Sequence, residues 1–246
     1  MNQVIWKIDT FRLTGFHTEQ QNDYDKSLWT KVIGTESQFA NYKRNGNQFL
    51  YQNDSELTDK KLLIAQAPER MDLLFTPREE ELRDQEKFRK FPSIGVFPDN
   101  ITKFTAIIDK FFDKINPDFE RLAFGLVLYF NVESEKEGYK YLSKYLPSLK
   151  LDNAVDFIYQ INRPKSSEKS KDIMINRLSK WSVAKRTLRG NSGIIAGKNE
   201  ENFACKLELD INTKPETKIK SKDIQTKIFK ELLDLAKNIS LNGDVS

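Results

Sequence analysis

Two acidic side chains stand two residues apart in the segment KLELDI, at Glu208 and Asp210, with Lys206 beside them. The segment alternates apolar and polar residues, so both carboxylates are predicted to project from the polar face of a β-strand. Asp156 is predicted on the polar face of a second strand in the same sheet. Carboxylate oxygens that hold Mg²⁺, with a lysine near the transition-state charge, are what a metal-dependent nuclease requires.

A simpler interpretation of these four residues is a solvated sheet face on which opposite charges pair across strands. The order Lys206-x-Glu208 also reverses the acid-then-lysine order of restriction-type nucleases. We therefore favour a non-catalytic protein without a metal site or cofactor, and we keep the nuclease as an alternative.

A second candidate site is a basic hairpin in which the tripeptide Ile-Asn-Arg occurs twice, at 161–163 and 175–177, around the polar segment PKSSEKSK. Between Arg163 and Lys198 there are ten Lys or Arg residues and two acids. Cations on adjacent strands could contact phosphates, and a tryptophan among them could stack on one base. The nucleic-acid-binding candidates are Arg163, Lys165, Lys169, Lys171, Arg177, Lys180, Trp181, Lys185, Arg186 and Arg189.

The same hairpin has two other interpretations. A turn of Lys, Ser and Glu is typical of a soluble loop, and a basic surplus can balance acids at a protein interface. A tryptophan such as Trp181 is also more often packed in the hydrophobic core than exposed as a binding surface. We rank a protein partner or a homo-oligomer first and nucleic acid second.

Few residues remain for nucleophilic chemistry. His17 is the only histidine and lies in a polar stretch, where we expect an exposed loop. Cys205 is the only cysteine and is predicted to be buried in its strand, where a thiol carries little thiolate. The pair Gly197-Lys198 lacks the preceding glycine and the following Ser or Thr of a phosphate-binding loop.

Composition places the chain among globular proteins, with 38% hydrophobic and 31% charged residues and a net charge of +4. The N-terminal residues have no signal-peptide pattern, and the longest apolar run, AFGLVLYF, is far below the roughly 20 residues of a membrane span. We expect a cytoplasmic protein that does not engage a membrane.

The C-terminal half is predicted as β-α-β-β-β-α, with strands at 121–132, 154–163, 173–185 and 202–212. Its helices follow Ser134 and Ser221. The N-terminal half repeats this order less clearly, and its best element is a helix with an apolar stripe over 101–115. The predicted fold is α+β, a mostly antiparallel sheet with helices on one face. It forms one globular unit over 1–246, with a pseudo-repeat of 3–116 and 120–240.

The segment FACKLELDINTKPE, with Asp210-Ile211-Asn212-Thr213, resembles a motif of a sporadically distributed bacterial family of uncharacterised proteins of about this length. The order of elements over 95–240 is also similar. Patchy distribution of that kind implies an accessory of a bacterial defence or toxin–antitoxin type system. The sequence thus predicts a non-catalytic interaction module, with a nucleic-acid-binding protein and a metal-dependent nuclease as alternatives.

Overall fold

A computed structural model describes residues 4–46, 48–57, 60–78, 91–188 and 200–243. These residues form ten β-strands and four α-helices. The strands are β1 (Lys7–His17), β2 (Phe39–Asn45), β3 (Gln48–Leu57), β4 (Lys60–Gln66), β5 (Arg70–Thr76), β6 (Phe119–Val132), β7 (Ile158–Asn162), β8 (Lys165–Ser166), β9 (Met174–Leu188) and β10 (Glu200–Thr213). The helices are α1 (Leu28–Ile33), α2 (Ile101–Ile115), α3 (Glu135–Tyr145) and α4 (Lys222–Asn242).

One antiparallel sheet contains all ten strands, which confirms the predicted α+β class. The strand order is β2-β3-β4-β5-β1-β6-β10-β9-β7, and β8 pairs with β9 beside β7. The N-terminal strands fill one side of the sheet and the C-terminal strands the other, with β1 and β6 meeting at the centre. The strands β2 and β7 therefore lie at the two edges.

Strand register divides the sheet into two faces, because directly opposed residues of an antiparallel pair point the same way. Leu13, Phe124 and Ile211 stand opposite one another on β1, β6 and β10, and all three are fully buried. Arg12 and Asp210 stand on either side of Gly125 in the next row. We call the face that carries Leu13, Phe124 and Ile211 the apolar face, and the face that carries Arg12 and Asp210 the polar face.

The helices α2 and α4 contact the apolar face through phenylalanine rings. Phe104 of α2 lies 5.2 Å from Phe11, and Phe229 of α4 lies 6.3 Å from Phe124, between ring centroids. The apolar stripe that predicted α2 is thus its buried face, and the prediction of a helix over 101–115 is confirmed. Asn116 ends α2 in the left-handed conformation and is followed by Pro117, which cannot continue the hydrogen-bonded turn.

The helix α3 packs on the C-terminal strands, where Tyr145 stacks on Trp181 at 5.5 Å. Its N-cap is the predicted one, since the Ser134 hydroxyl accepts a hydrogen bond from the backbone N–H of Glu137 at 3.2 Å. Trp6, just before β1, also contacts Trp181 and donates its indole N–H to the Ser240 carbonyl at 2.9 Å. Residues of both halves therefore share one continuous hydrophobic core.

The structure corrects two predicted segments. The strand β2 was not predicted, so the described residues between α1 and α2 form four strands rather than three. The strand predicted over 154–163 begins only at Ile158. Asp156 precedes it in a bend, exposed and with a φ of 52°, so the placement of Asp156 on a strand face is wrong.

Candidate functional site

A groove of about 450 Å³ crosses the polar face over six strands, from β5 at one end to β7 at the other. Its floor lies at the centre of the sheet, where Gly125 of β6 has no side chain to fill it. The lining side chains are Thr10, Arg12, Leu74, Val127, Gln160, Leu178, Lys180, Glu208 and Asp210. The sequence-predicted carboxylates Glu208 and Asp210 both lie in this polar groove, as the alternation along β10 predicts.

Glu208 is held between two lysines. Its carboxylate lies 3.3 Å from Lys180 on β9 and 3.2 Å from Lys206 on β10. Partial burial opposes ionisation of Glu208, but the two ammonium groups outweigh burial and lower its pKa from the usual 4.5. Glu208 is therefore an ionised, paired carboxylate at neutral pH, which agrees with the simpler interpretation of this face.

Arg12 of β1 is the main groove residue that the sequence analysis missed. Its guanidinium lies over Gly125, with Nε 3.5 Å from the position that a Cβ would occupy there. Within the described part of the chain, Arg12 makes no hydrogen bond or ion pair. The alternation of Thr10, Arg12 and Thr14 along β1 was the signal that could have placed Arg12 on this face.

The repeated tripeptide has a structural explanation in a chain of carboxamides across three strands. Asn162 donates to Asn176 at 3.0 Å, Asn176 donates to Asn212 at 3.1 Å, and Asn212 donates to Asp210 at 2.9 Å. The two copies also meet where Arg177 Nε donates to the Arg163 carbonyl at 2.8 Å. The repeat thus joins β7 to β9 and orients one oxygen of Asp210.

A smaller cavity of about 300 Å³ lies beside the groove and is lined by Asp9, Lys206, Arg186 and aromatic and proline side chains. Asp9 occupies an irregularity in the pairing of β1 with β6, which turns its side chain to this cavity. Burial raises the pKa of Asp9, against the hydroxyl of Thr10 and the charges of Lys206 and Arg186. Alternation along β1 does not predict the position of Asp9, because a bulge interrupts the strand there.

The proposed catalytic set does not assemble. Asp156 lies near Tyr139 of α3, whose pKa is raised by burial first, then by Glu135, and to a smaller degree by Asp156. Only Lys206, Glu208 and Asp210 share the polar face. Among the described residues, no group of three or more His, Cys, Asp or Glu side chains is placed to hold a metal ion.

The basic residues of the hairpin are dispersed, and several are paired within the chain. Lys165 lies 3.0 Å from Glu168, Lys180 lies 3.3 Å from Glu208, and Lys185 lies 2.6 Å from Glu201. Lys169 and Lys171 are exposed, Arg186 lines the cavity with Asp9, and Arg189 lies outside the described residues. Trp181 is fully buried, so it presents no ring face to a base.

The loop of the hairpin is anchored to α4. Glu231, which is only 5% exposed, accepts hydrogen bonds from the Ser167 hydroxyl at 2.5 Å and from the Glu168 N–H at 2.7 Å. Ser167 in turn accepts from the N–H groups of Lys169 and Ser170. These contacts hold the tip of the basic hairpin against α4.

The remaining reactive side chains lie apart from the groove. Cys205 is fully buried on the apolar face, its thiol donates to the Gly138 carbonyl at 3.3 Å, and burial raises its pKa well above the usual range. His17 is the last residue of β1 and packs 5.2 Å from the Phe119 ring. His17 is half-buried at the end of a strand, so the expectation of an exposed loop histidine is wrong, and this burial lowers its pKa.

The edge strand β2 is a second surface that the sequence analysis missed. All seven of its residues are exposed, including Phe39 at 63% and Tyr42 at 42%. Tyr42 belongs to a surface cluster of rings in which Tyr24 lies 4.9 Å from Tyr42 and 4.2 Å from Tyr51. Large apolar side chains on an unpaired strand edge are what a strand-adding partner covers.

Comparison of the chain with protein-family models, curated proteins and solved structures finds no match. The resemblance to the sporadic bacterial family therefore stays a prediction. No helix in the described part of the chain is long and apolar enough to cross a membrane.

Proposed function

We propose that this protein is a non-catalytic interaction module that takes a strand of a protein partner onto the edge of its sheet at β2. The observation that carries the proposal is the exposure of all seven residues of β2 at a sheet edge that has no further strand among the described residues. Alternate residues of such a strand direct their N–H and C=O groups outwards, and an added strand satisfies them.

The side chains of β2 define the kind of segment that fits. Phe39 offers an apolar contact, and Tyr42 extends the ring cluster around Tyr24. Lys43 and Arg44 add two positive charges, and β2 contains no acid. An extended segment with apolar and acidic residues complements this edge. The alternative role of Lys43 and Arg44 is to keep other strands away, because charged residues commonly protect sheet edges.

The chemistry of the polar face supports a binding role over catalysis. Glu208 is neutralised by Lys180 and Lys206, and Cys205 is a buried thiol on the opposite face. Catalytic groups require pKa values matched to proton transfer near neutral pH. The lowered pKa of Glu208 and the raised pKa of Cys205 move both groups away from that range.

Two proline variants test the edge directly. Of any two consecutive residues in β2, one directs its N–H to β3 and the other directs it outwards. Of the two variants Ala40→Pro and Asn41→Pro, one therefore removes an N–H that bonds to β3, and the other removes an N–H that faces outwards. The variant at the outward residue should keep the thermal midpoint and lose partner binding. The other should lower the midpoint.

The partner assay combines light scattering after size exclusion with affinity capture, and it compares Phe39→Ser with Ile158→Ser. Both positions carry exposed apolar side chains, and Ile158 lies on the opposite edge. We expect Phe39→Ser to abolish the oligomer or the captured complex and Ile158→Ser to leave it intact. Equal behaviour of wild type and both variants would refute the β2 interface.

The rival nucleic-acid function is tested by fluorescence anisotropy with single- and double-stranded DNA and RNA between about 50 and 200 mM salt. We expect no tight binding, because Lys165, Lys180 and Lys185 already pair with acids in the chain. Binding that falls steeply with salt and disappears when Lys169 and Lys171 are neutralised would favour the rival instead.

The proposal includes the finer architecture and the cellular context. We infer that the helices share the apolar face and that the chain is a duplication. Supporting this, the described residues of each half have the order strand, helix, four strands, helix, and in each half the first strand pairs with the last strand near the centre of the sheet. We infer a cytoplasmic accessory of a bacterial defence or toxin–antitoxin type system from the resemblance alone.

A single cooperative unfolding transition would support one globular unit, and two separate transitions would contradict it.

A further inference from the structure

We propose that the polar groove binds a zwitterionic ligand of the amino-acid or short-peptide class, with its carboxylate on Arg12 and its ammonium group on Asp210. This site is independent of the β2 edge. The groove has a volume of about 450 Å³, within the range of about 300–1,000 Å³ that is common for small-molecule sites.

Arg12 supplies the anion-binding group. It is exposed in the groove and, within the described ranges, has no hydrogen bond or ion pair, whereas Lys180 and Lys206 are both held by Glu208. A guanidinium presents parallel N–H donors that match the two oxygens of a carboxylate. The lack of a side chain at Gly125 leaves the space into which Arg12 leans towards β10.

Asp210 supplies the cation-binding group. One of its oxygens accepts from Asn212, which fixes the carboxylate, and the other has no donor among the described residues. Arg12 and Asp210 flank Gly125, so their Cα atoms are two strand spacings apart, roughly 10 Å. No ion pair joins these two side chains across the groove, and a ligand with both charges can bridge them.

The balance of charges and the apolar lining select the ligand class. A phosphate on Arg12 would face the carboxylate of Asp210, and a diamine on Asp210 would face the guanidinium of Arg12, whereas Glu208 and Lys180 pair with each other. A zwitterion meets neither repulsion. Leu74, Val127 and Leu178 are half-buried and line the same groove, so an apolar side chain on the ligand is expected to gain affinity.

Isothermal titration with leucine, leucyl-leucine, N-acetyl-leucine and leucinamide tests this site. Leucine or leucyl-leucine should bind, and the stronger of the two identifies the source as a free amino acid or a peptide. N-acetyl-leucine lacks the ammonium group and leucinamide lacks the carboxylate, so each should bind at least about tenfold more weakly.

Variants assign the two contacts. Arg12→Gln and Asp210→Asn should each weaken binding about tenfold, while Lys114→Gln, which removes an exposed cation on α2 across the sheet from the groove, should not. Arg12→Lys keeps the charge and loses the forked donors, so it should weaken binding less than Arg12→Gln. Unchanged thermal midpoints confirm that the variants are folded.

Three results would overturn the proposal. The first is that neither leucine nor leucyl-leucine binds up to about 10 mM. The second is that N-acetyl-leucine and leucinamide bind as tightly as leucine. The third is that the Arg12 and Asp210 variants bind the ligand as tightly as wild type.

Discussion

The two edges of the sheet, β2 and β7, carry similarly exposed apolar side chains but differ in the segments that adjoin them. Phe39 on β2 and Ile158 on β7 are almost equally exposed, at 63% and 65%. The segment that follows β7 runs into β8 and a loop that Glu231 of α4 holds by two hydrogen bonds. Exposed apolar residues alone therefore do not single out β2 as the interface that we propose. The segment beyond β7 is tied to α4 at Glu231, whereas the segment before β2 is tied to β3, where Asn53 donates to the Ser37 hydroxyl and Gln38 accepts from the Glu56 N–H.

The largest expected effect comes from the core beneath the C-terminal edge. Trp181 is fully buried, stands opposite Tyr159 of β7 and contacts Trp6 and Tyr145. Trp181→Ala should lower the free energy of unfolding by about 3–5 kcal/mol, because it leaves a large cavity. Urea unfolding measures this, with exposed Val155→Ala as the control. A loss below about 1 kcal/mol would contradict the burial of Trp181.

Loss of the hydrogen bonds at Glu231 should lower the free energy of unfolding by less than loss of Trp181 does, and its effect should be confined to the loop that Glu231 holds. Glu231→Ala leaves the Ser167 hydroxyl and the Glu168 N–H without their acceptor, at an expected cost of about 2–3 kcal/mol. Hydrogen exchange should then accelerate at residues 167–170 while β2 is unaffected. Glu231→Gln keeps one acceptor oxygen and should have a smaller effect. Exchange that is already fast in this loop of the wild type would show that the anchor is ineffective.

At the β2 edge, the cluster of tyrosine rings should contribute less to the free energy of unfolding than the Glu231 anchor does. Tyr24 stacks on Tyr51 and contacts Tyr42, so Tyr24→Ala should lower the free energy of unfolding by about 1 kcal/mol. It should also loosen β2, seen as faster exchange of its amides. Tyr24→Phe retains the ring and is the matched control. Equal exchange in β2 for both variants would show that the cluster does not support this edge.

Between the two edges, Glu208 should give a pH-dependent effect that is smaller still. Its folded pKa is below the unfolded value of 4.5, so its stabilising contribution is complete above pH 4.5 and is lost as pH falls through the folded pKa. Unfolding measured at pH values on both sides of 4.5 should show a shallower acid-side decline for Glu208→Gln than for wild type. Glu36→Gln, at an exposed position, should match wild type. Identical acid-side slopes for Glu208→Gln and wild type would rule out the proposed lysine pairing.

The sequence predicted elements whose residues are partly buried in a regular pattern. Alternation along β10 placed Glu208 and Asp210 on the polar face, and the stripe of α2 predicted its packing. The strand β2 could not be found in this way, because all of its residues are exposed and it is defined only by pairing with β3. Its existence depends on a tertiary contact rather than on a local pattern.

The candidate site was predictable only in part for the same reason. Asp210 follows from the pattern of one strand, but its position across Gly125 from Arg12 depends on the pairing of β6 with both β1 and β10, which joins residues almost 200 positions apart in sequence. The anchor between Ser167 and Glu231 likewise joins residues 64 positions apart. The repeat of Ile-Asn-Arg was visible, but the asparagine chain that explains it required the register of β7, β9 and β10.

The bond from Trp6 to the Ser240 carbonyl, together with the anchor at Glu231, has a consequence for biosynthesis. During translation the strands emerge first, and α4 leaves the ribosome only after every strand of the sheet has been made. Until then, the indole of Trp6 and the loop at Ser167 lack their acceptors, and the apolar side chain of Phe124 lacks Phe229. We therefore expect nascent chains that stop before residue 222 to be open to proteases and to engage chaperones. Protection should arise abruptly when α4 docks.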